Sequence, residues 1–542
     1  LVNDALTASL KSKPSPIYHQ SFAKRITTGN LEDDISKVAD ADWIMEVVVE
    51  RLDIKQQVFE QLEKHRTPGT LITSNTSGIP IKFMSEGRSE DFQKHFCGTH
   101  FFNPARYLKL FEIIPDDIRI NIDHRELEVV QIEIDSRRVS TQTLFIAIKG
   151  HQVDGHNYIA NAIKAGATVI VYNEKIDVQL EEGIVFIPVS DTSKYAGLIA
   201  HKFYDEPSYD TQLIGVTGTN GKTSVVTLLY QAMTEMGYKV GLISTVQNRI
   251  GDVIINATHT TPDAINLNRL LADMVENCCD YVFMEVSSHA IDQQRISGLK
   301  FRVAAFTNIS HDHLDYHDTF KEYIWTKKKF FDYLDEEAIA ISNIDDKRGE
   351  VMLQNTSATV KTLALRSSAD YKAKIITDSI EGLHMIIDKQ EVYFQLSGRF
   401  NAYNLSTVYA ILKESGLPSD EILPVLSQLK GAEGRFEKII HPITKTCAIV
   451  DYAHTPDALD NVLQTILQTK YDTQNIITVI GCGGDRDKAK RPKMAQIAAS
   501  LSSRVVLTSD NPRSEDPEKI LDDMEAGLKN KNADHVLRMV DR

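Results

Sequence analysis

A glycine-rich segment near the middle of the chain has the residue types that bind phosphate. Residues 215–224 read Gly-Val-Thr-Gly-Thr-Asn-Gly-Lys-Thr-Ser, between an apolar run that ends at Ile214 and another that begins at Val225. This order predicts a strand, a tight loop and a helix start, where backbone N–H groups can surround an anion. The predicted ATP contacts in this segment are Gly218, Thr219, Asn220, Gly221, Lys222, Thr223 and Ser224.

Two side chains of this segment would take part in the chemistry. Lys222 would place a positive charge beside the β- and γ-phosphates, and the Thr223 hydroxyl would ligate Mg²⁺. The general phosphate-loop pattern has its first glycine at the position of Val216, which here lies between Gly215 and Gly218. A purely structural glycine turn is the alternative, but the Lys-Thr pair at the helix start favours a phosphate site.

The whole chain has the composition of an ordinary soluble protein, with 42% hydrophobic and 25% charged residues. Its 542 residues exceed what one core needs and predict about three or four domains. The net charge is −15 with both signs interspersed, which does not favour nucleic-acid binding, and no stretch is apolar enough for a membrane span. The five cysteines form no C-x-x-C pair, which fits a reducing compartment. We expect a cytoplasmic monomer.

Residues 24–115 alternate between strand-like and helical patterns. The sequence predicts a buried strand over 43–49, a helix over 54–65, and further strands over 71–74 and 109–114. This order is typical of the second half of a doubly wound sheet, with ligand loops at the carboxyl ends of the strands.

Four motifs of this region resemble the NAD-binding domain of 3-hydroxyacyl-CoA dehydrogenases. They are Glu-Arg-Leu-Asp-Ile-Lys at 50–55, Ser-Asn-Thr-Ser at 74–77, Gly-Thr-His-Phe-Phe-Asn-Pro at 98–104 and Leu-Phe-Glu at 110–112. The resemblance implies that His100 is a general base oriented by Glu112, since a carboxylate fixes the imidazole tautomer. It also implies a substrate contact at Ser77 and NAD contacts at Glu50, Lys55, Asn75 and Asn103.

The glycine-rich turn that would hold the NAD pyrophosphate is expected before Leu1, the first residue of the sequence. Nothing after Pro115 resembles the helical substrate domain of that family. We therefore expect residues 1–115 to be a partial fold that neither binds NAD nor catalyses.

A second unit, residues 116–207, combines Asp-Ser-Arg at 135–137 with Gly-His-Gln-Val-Asp-Gly at 150–155. A surface turn is the alternative interpretation, because Asp, Ser and Gly are common in turns. The two motifs resemble the N-terminal, uridine-nucleotide-binding domain of the Mur ligases. The resemblance implies contacts with a UDP-linked substrate at Ile134, Ser136, His151, Gln152 and Val153.

The central unit, residues 208–432, ends two predicted strands with acidic and imidazole side chains. Glu285 ends one strand, and the next strand leads into Asn-Ile-Ser-His-Asp-His-Leu-Asp at 308–315. Clustered His and Asp side chains are compatible with a transition metal, but oxygen-rich surroundings beside a phosphate loop favour Mg²⁺. Residues 323–331 also fit an amphipathic helix with a solvated basic face.

Together with Thr-Thr-Pro at 260–262, these motifs resemble the central domain of the Mur ligases. The resemblance implies that Lys327 is carbamylated and ligates a second Mg²⁺ with His313, because carbamylation turns a cation into an anionic oxygen ligand. The implied catalytic residues are Lys222, Glu285, His313 and Lys327, and the implied metal ligands are Thr223, Glu285, His313 and Lys327. Further contacts with the UDP-linked substrate are implied at Thr260, Thr261, Ser287, Gln293 and Arg295. Thr326 replaces the usual Ala of the family, a change that we expect to be tolerated.

The last unit, residues 433–542, predicts a Rossmann-like domain that on its own fits a weak dinucleotide site. The family resemblance instead implies ATP contacts at Asn404, Arg435 and Asp451. It implies contacts with the incoming amino acid at Arg486, Asp510, Asn511, Pro512 and Arg513. The Arg513 guanidinium suits the extra carboxylate of meso-diaminopimelate, because it can bind a carboxylate through two hydrogen bonds. We expect a Gly-Lys-Gly-His-Glu stretch of the family to follow Arg542, so that this domain is truncated.

The sequence thus predicts an α/β protein with several doubly wound domains. They are a partial Rossmann fragment (1–115), a Mur N-terminal domain (116–207), a central phosphate-loop domain (208–432) and a truncated Rossmann-like C-terminal domain (433–542). The implied activity is an ATP-dependent ligase of peptidoglycan synthesis, which adds meso-diaminopimelate to UDP-N-acetylmuramoyl-L-alanyl-D-glutamate through an acyl phosphate. The alternatives are a bifunctional chain that also oxidises 3-hydroxyacyl-CoA with NAD, and an inactive chimeric nucleotide-binding fragment.

Overall fold

The computed structural model shows an α/β protein with mostly parallel sheets, which confirms the predicted fold class. It describes residues 24–49, 51–75, 79, 81–101, 111–115, 128–150, 153–174, 183–257, 259–310, 316–444, 446–471, 473–528 and 534–541. The described residues divide into two compact units. The first comprises those up to 131 together with 136–147 and 156–190, and the second comprises 132–135, 148–155 and those from 191 onward. Among the described residues, no helix combines the length and apolar character that crossing a bilayer requires.

The first unit begins with a four-stranded sheet in the order β1-β2-β3-β4. The first three strands are parallel, and the fourth is antiparallel to the third. The elements are β1 (Trp43–Glu46), α1 (Leu52–His65), β2 (Leu71–Asn75), α2 (Ile81–Ser85), α3 (Glu90–Lys94), β3 (Phe96–Phe101) and β4 (Phe111–Pro115).

The predicted buried strand over 43–49 is wrong in length and burial. The strand ends at Glu46, and Trp43, Val47 and Val49 are exposed. β1 is an edge strand, and the Glu46 carboxylate accepts a hydrogen bond from the N–H of Val48. This bond occupies the Val48 N–H, which is then not available for strand pairing. The strand therefore ends before the apolar run does.

The interior of this sheet combines aromatic packing with a buried ion pair. Phe59 of α1 meets Phe96 edge to face, with ring centroids 5.0 Å apart. Lys55 Nζ lies 2.9 Å from Glu46 Oε2, and both side chains are fully buried. The Ser74 hydroxyl donates to the same carboxylate over 2.5 Å. The charges are tolerated in the interior because they are paired and hydrogen-bonded.

The next segment of the chain contains β5 (Gln131–Glu133), β6 (Thr143–Ile146), α4 (Ile159–Ala165), β7 (Ala167–Tyr172) and β8 (Val185–Pro188). β7 pairs in parallel with both β6 and β8. One buried apolar cluster of the first unit packs in this segment and includes Phe145, Ile159, Ile170 and Phe186. This arrangement is the parallel strand-helix-strand unit that alternating patterns predict.

The second unit is built on an eleven-stranded sheet, in the order β12-β11-β10-β13-β9-β14-β15-β16-β17-β18-β19. Its strands are β9 (Gln212–Thr217), β10 (Val240–Ile243), β11 (Gln247–Ile250), β12 (Val253–Asn256), β13 (Tyr281–Glu285), β14 (Val303–Phe306), β15 (Ile339–Asn343), β16 (Thr359–Ala364), β17 (Tyr371–Asp378), β18 (Leu383–Ile387) and β19 (Gln390–Phe394). Its helices are α5 (Thr192–Phe203), α6 (Lys222–Glu235), α7 (Ala264–Glu276), α8 (Ser288–Asp292), α9 (Phe320–Asp332), α10 (Gly349–Leu353), α11 (Arg399–Glu414) and α12 (Ser419–Gln428). The strands from β10 to β17 in this order run parallel.

Strand β9 lies in the interior of this sheet, between β13 and β14, and its position explains the unusual glycine spacing. Val216 is still part of β9 and is fully buried. A Cβ on Gly215 would lie 2.6 Å from Phe330 Cζ and 2.8 Å from Phe301 Cε1. Gly215 is therefore required for packing inside the strand, and the loop begins only after Thr217.

The rest of the second unit forms a strand pair and a smaller parallel sheet. The pair is antiparallel, and the sheet has the order β22-β23-β24. The elements are β20 (Glu437–Ile440), β21 (Cys447–Val450), α13 (Pro456–Thr469), β22 (Ile477–Ile480), α14 (Lys490–Leu501), β23 (Arg504–Thr508), α15 (Pro517–Glu525) and β24 (Val536–Met539).

The buried pair in the first sheet leads to a stability prediction. Lys55→Met leaves the Glu46 carboxylate buried without its cation, so we expect a loss of about 3–5 kcal/mol in the local unfolding free energy. Amide hydrogen exchange of β1 and β2 in the full chain measures this loss. Lys64→Met is the matched control, because it removes an ion pair on the exposed face of α1 and should change the exchange rates little. Equal effects of the two substitutions would contradict the prediction.

Candidate active site

The phosphate loop lies where parallel strands end at one edge of the large sheet. It is held by residues that follow β14. Thr219 N donates to Asn308 O over 2.8 Å, and Asn220 N donates to Asn308 Oδ1 over 3.0 Å. Thr307 Oγ1 donates to Asn220 O over 2.6 Å. The segment after β14 therefore fixes the shape of the loop, and α6 begins at its end.

Two positions of the loop accept only glycine. Gly218 has a φ of 151°, and a Cβ there would lie 2.0 Å from Thr307 Oγ1. Gly221 has a φ of 89°, and its Cβ would lie 2.5 Å from Asn404 Oδ1. These contacts explain the glycines by close approach as well as by backbone conformation. They also bring Asn404 of α11 to the start of α6.

Two lysines converge on one carbonyl of the loop. Lys222 Nζ donates to the carbonyls of Gly218 and Thr219, each over 2.9 Å. Lys327 Nζ, from α9, donates to the same Gly218 carbonyl over 3.0 Å and lies 4.8 Å from the ring centre of Tyr323. Lys327 is only 1% exposed, which excludes the solvated basic face that the amphipathic pattern suggested for it.

Glu285 ends β13 beside β9 with a buried carboxylate. Its two oxygens accept hydrogen bonds from Thr245 N and Thr245 Oγ1, over 2.8 and 3.2 Å. In the described parts of the chain, no Lys, Arg or His forms an ion pair with it. A buried carboxylate without a cationic partner is costly, and a hard cation is the kind of ligand that would offset this cost.

The expected contacts to the UDP-linked substrate beside Glu285 lie close together. Arg295 donates to Thr261 O and to Gln293 Oε1, each over 2.6 Å. Thr261 Oγ1 in turn donates to Glu285 O over 2.8 Å. Ser287 accepts a bond from the N–H at the start of α8 and lies 3.5 Å from Thr261 Oγ1. Thr260 Oγ1 lies 3.1 Å from Thr245 Oγ1.

Tyr316 belongs to this cluster, although the sequence analysis did not single it out. Its hydroxyl donates to Asp292 Oδ2 over 2.8 Å and accepts from Gln293 Nε2 over 3.2 Å. Burial is the main cause that raises the pKa of Tyr316 to about 12, so it stays a hydrogen-bond donor at neutral pH. No motif marks this tyrosine, and only its place next to residues 308–315 pointed toward the site.

The last part of the chain also reaches the loop. Arg435 Nη2 donates to Thr223 Oγ1 over 3.1 Å, and its guanidinium lies 4.6 Å from the ring centre of Tyr452. Asp451 accepts hydrogen bonds from the N–H groups of Phe436 and Ala453, and burial raises its pKa. The structure thus places the Arg435 side chain against the hydroxyl that was predicted to bind metal.

The two loops expected to bind the amino acid are adjacent. Arg513 Nη1 donates to Gly484 O over 2.5 Å, and Gly484 N donates to Asn511 O over 2.9 Å. A Cβ on Gly484 would lie 1.9 Å from Pro512 O. Arg486 and Asp510 are exposed beside this turn.

Several predicted residues lie outside the described part of the chain or away from these clusters. Outside it are His313, His151, Gln152, Glu50, Ser77 and Asn103. The register of β3 and β4 places the backbone of His100 opposite that of Glu112. Half-buried positions are held by Ile134, Ser136, Asn75 and Ser224, whereas Val153 is exposed.

Comparisons with known proteins identify the family of this chain. Family models match as follows: Mur ligase family, catalytic domain, at 128–204; Mur ligase middle domain at 216–412; and Mur ligase, glutamate ligase domain, at 434–542. A UDP-N-acetylmuramoyl-L-alanyl-D-glutamate--2,6-diaminopimelate ligase from Cytophaga hutchinsonii is 52% identical over 77% of this chain and 85% of its own length. The same-named ligase from Parabacteroides distasonis is 50% identical, with the same coverage of both chains.

The chain belongs to the Mur ligase family. A solved structure of a UDP-N-acetylmuramoyl-L-alanyl-D-glutamate--2,6-diaminopimelate ligase is 28% identical, with a TM-score of 0.56 over 76% of this chain and 85% of that one. The expected enzyme class, an ATP-dependent ligase, is confirmed. The model of the 3-hydroxyacyl-CoA dehydrogenase, NAD binding domain matches residues 3–118, which confirms the resemblance of the first segment.

The loop glycines of this Mur ligase allow a matched test at the two ends of α6. Gly221 and Gly237 have nearly the same φ, 89° and 88°, but a Cβ at Gly237 meets nothing within 4 Å. Gly237→Ala should therefore cost only about 1–2 kcal/mol of backbone strain and leave nucleotide affinity unchanged. Gly221→Ala should weaken ADP binding by about tenfold or more, because either the loop or the Asn404 side chain beside it must shift. Calorimetric titration with ADP and Mg²⁺ and thermal unfolding of both variants test this, and equal affinities would contradict it.

Proposed function

We propose that this Mur ligase joins meso-diaminopimelate to UDP-N-acetylmuramoyl-L-alanyl-D-glutamate at the expense of ATP, in peptidoglycan synthesis. The relatives that carry this name, at 52% and 50% identity, support the choice of substrates. One structural observation carries the reaction type. Glu285 ends the strand beside β9, and its backbone carbonyl accepts a hydrogen bond from the Thr261 hydroxyl. The strand that leads into the phosphate loop and the expected substrate cluster therefore both lie next to this residue.

The proposed reaction has two steps. The γ-phosphoryl group of ATP passes to the D-glutamate carboxylate, which breaks its bond to ADP and forms an acyl phosphate. The amine of diaminopimelate then attacks the carbonyl carbon, an amide forms and phosphate leaves. The loop N–H groups, the start of α6 and Lys222 would stabilise the negative charge on the phosphates.

We propose Mg²⁺ as the cofactor, held by Thr223, Glu285, His313 and carbamylated Lys327. The buried Glu285 carboxylate and the Thr223 hydroxyl are hard oxygen donors that fit this ion. Mg²⁺ would neutralise charge on the phosphoryl group during transfer. Carbamylation would give Lys327 the anionic oxygens that its ammonium form lacks.

The last part of the chain would close the site. Arg435 contacts Thr223, and Asn220 Nδ2 donates to Asp457 Oδ2 over 3.3 Å. One contact lies on the loop and the other at the start of α6, in the segment that would hold ATP. A closed site of this kind excludes water, which would otherwise hydrolyse an acyl phosphate.

Arg513 would recognise the second carboxylate of diaminopimelate. A guanidinium has five N–H donors, and Gly484 O accepts one of them in the described residues. The remaining donors suit a bidentate bond to a carboxylate. Arg486, Asp510, Asn511 and Pro512 would line the same pocket.

The remaining assignments are also proposals. We propose that the protein is a cytoplasmic monomer that serves cell wall biogenesis, cell shape and cell division. Its domains would be 1–115, 116–207, 208–432 and 433–542. ATP and UDP-linked precursors are metabolites of the cell interior, which supports the cytoplasmic assignment.

A second candidate function concerns the first segment. This alternative is based on the match to an NAD binding domain and on the backbone register that pairs His100 with Glu112. We expect no 3-hydroxyacyl-CoA-dependent formation of NADH by the full chain. A rise in NADH absorbance that depends on the hydroxyacyl substrate would establish the bifunctional alternative.

The ligase assignment predicts that ADP release requires the UDP-linked dipeptide and meso-diaminopimelate together. Arg513→Ala should raise the KM for meso-diaminopimelate by about 10–100-fold, because a charge-assisted bidentate contact is lost. Arg504→Ala is the control, since Arg504 is an exposed arginine of the neighbouring strand β23. A coupled ADP-release assay measures both constants. Turnover with L-lysine at equal efficiency would refute the assigned acceptor, and no amino-acid-dependent turnover at all would refute the ligase.

The carbamate proposal predicts a specific pattern of chemical rescue. Lys327→Ala should lower kcat by about 100-fold or more, because charge stabilisation at the phosphoryl group is lost. Formate should restore part of the activity if an anionic oxygen ligand is required, whereas methylamine should restore it if the ammonium form acts. Lys329→Ala is the control, because Lys329 lies on the exposed side of α9. Rescue by methylamine alone would exclude the carbamate.

A further inference from the structure

A fully buried arginine lies beneath the turn that carries Arg513. Arg491 of α14 is 0% exposed. Its Nη1 and Nη2 donate to the two oxygens of Glu515, over 3.0 and 2.8 Å. Nη1 also donates to Asp523 Oδ2 over 2.8 Å. This is the bidentate geometry in which a guanidinium and a carboxylate fix each other most rigidly.

The same ion pair joins the two loops of the expected amino-acid site. Glu515 Oε1 accepts a hydrogen bond from Asp485 N over 2.6 Å, and Arg491 Nη2 donates to Gly483 O over 3.3 Å. Residues 481–487 follow β22, whereas Glu515 lies two positions after Arg513. The pair therefore bridges the loop after β22 and the turn after β23.

The bridged backbone is strained and needs such support. Arg513 and Asp485 have φ values of 49° and 51°, in the left-handed region that disfavours side chains with a Cβ. Strained conformations of this kind persist only where the surroundings hold them. Ser514 adds a second tie, since its N–H and hydroxyl both donate to the Asp485 carboxylate.

We propose that Arg491 and Glu515 are positioning residues that hold the Arg513 guanidinium in place for the distal carboxylate of the amino-acid substrate, and so set acceptor specificity. This inference rests on the proposed ligase function. Neither side chain needs to touch the substrate. They would act by fixing the turn at 511–513. In this turn Asn511 O accepts a hydrogen bond from Gly484 N, and the Arg513 guanidinium donates one to Gly484 O.

Electrostatics supports an ion pair between Arg491 and Glu515 that persists at neutral pH. The hydrogen bonds from Arg491 are the main cause that lowers the pKa of Glu515 to about 2. The carboxylate therefore stays ionised at neutral pH, and the ion pair persists throughout the range in which the enzyme would be assayed.

The test compares one substitution just before α15, at Glu515, with one at the end of that helix, at Glu525. Glu515→Gln should raise the KM for meso-diaminopimelate by about tenfold or more, because a small displacement of a binding group has a large effect. The KM values for ATP and the UDP-linked dipeptide should stay within about twofold of wild type, as expected for a contact that serves one substrate. Glu525→Gln is the matched control, since Glu525 also pairs with an arginine, Arg538, but lies away from both loops. Arg491→Lys should resemble Glu515→Gln, because lysine keeps the charge and loses the bidentate geometry.

A double-mutant cycle separates positioning from general stability. If Glu515 acts through Arg513, Glu515→Gln should have no further effect on the KM for meso-diaminopimelate in an Arg513→Ala background. Equal effects in both backgrounds would overturn the inference, and so would a fall in kcat with all KM values unchanged. If Arg491→Lys does not fold, the two Glu515 backgrounds decide the question alone. A wild-type chain without meso-diaminopimelate-dependent turnover would instead overturn the proposed function, and this inference with it.

Discussion

The close approach of backbone segments at Gly218 is the constraint on which the central site depends. A side chain at this position would collide with Thr307, so strand β14 and the phosphate loop can meet only at a glycine. The backbone carbonyl of Gly218 accepts hydrogen bonds from Lys222 and Lys327, which come from different helices. A carbonyl has no net charge, so it orients the lysine side chains without neutralising them. The packing of the sheet thus determines where the Lys222 and Lys327 side chains are held beside the loop.

Three carboxylates illustrate two different solutions, of which those of Glu46 and Glu285 are buried and that of Glu515 is partly exposed. Glu46 and Glu515 are each paired with a buried cation, Lys55 and Arg491, and both pairs also engage backbone or hydroxyl groups. Glu285 has hydrogen-bond donors only, in the parts of the chain that the structure describes. Paired carboxylates hold structure together, because both charges are compensated within the protein. The unpaired one is the group suited to a cation that arrives with the nucleotide.

The sequence predicted the features that local patterns determine. The strand, loop and helix at 212–235 follow from glycine spacing and apolar runs, and the position of Glu285 follows from the rule that parallel strands end at one edge. The placement of Asn404 and Arg435 beside the loop was expected only from the family resemblance, because these residues are distant in the chain. Local composition contains no information about such long-range contacts.

Other features depend on packing partners that no pattern reveals. The apolar run at 43–49 suggested a longer strand than β1. The length of β1 is instead set by its edge position and by the Glu46 side chain, which binds the Val48 N–H. Gly215 is required by Phe301 and Phe330, which lie on other elements. Tyr316 and Arg491 belong to no motif, and each is defined by carboxylate partners elsewhere in the fold.

The contact between Arg435 and Thr223 links nucleotide binding to the placement of the last part of the chain. The guanidinium donates to a hydroxyl whose oxygen is also the proposed metal ligand. A metal ion and a guanidinium both carry positive charge, and they repel each other at such a distance unless an anion lies between them. The phosphates of ATP are such an anion. Binding of nucleotide with its metal would therefore change the contacts of Arg435. If ATP binds one arrangement of the last part of the chain more tightly than another, the equilibrium between the two arrangements shifts by the difference in their binding free energies.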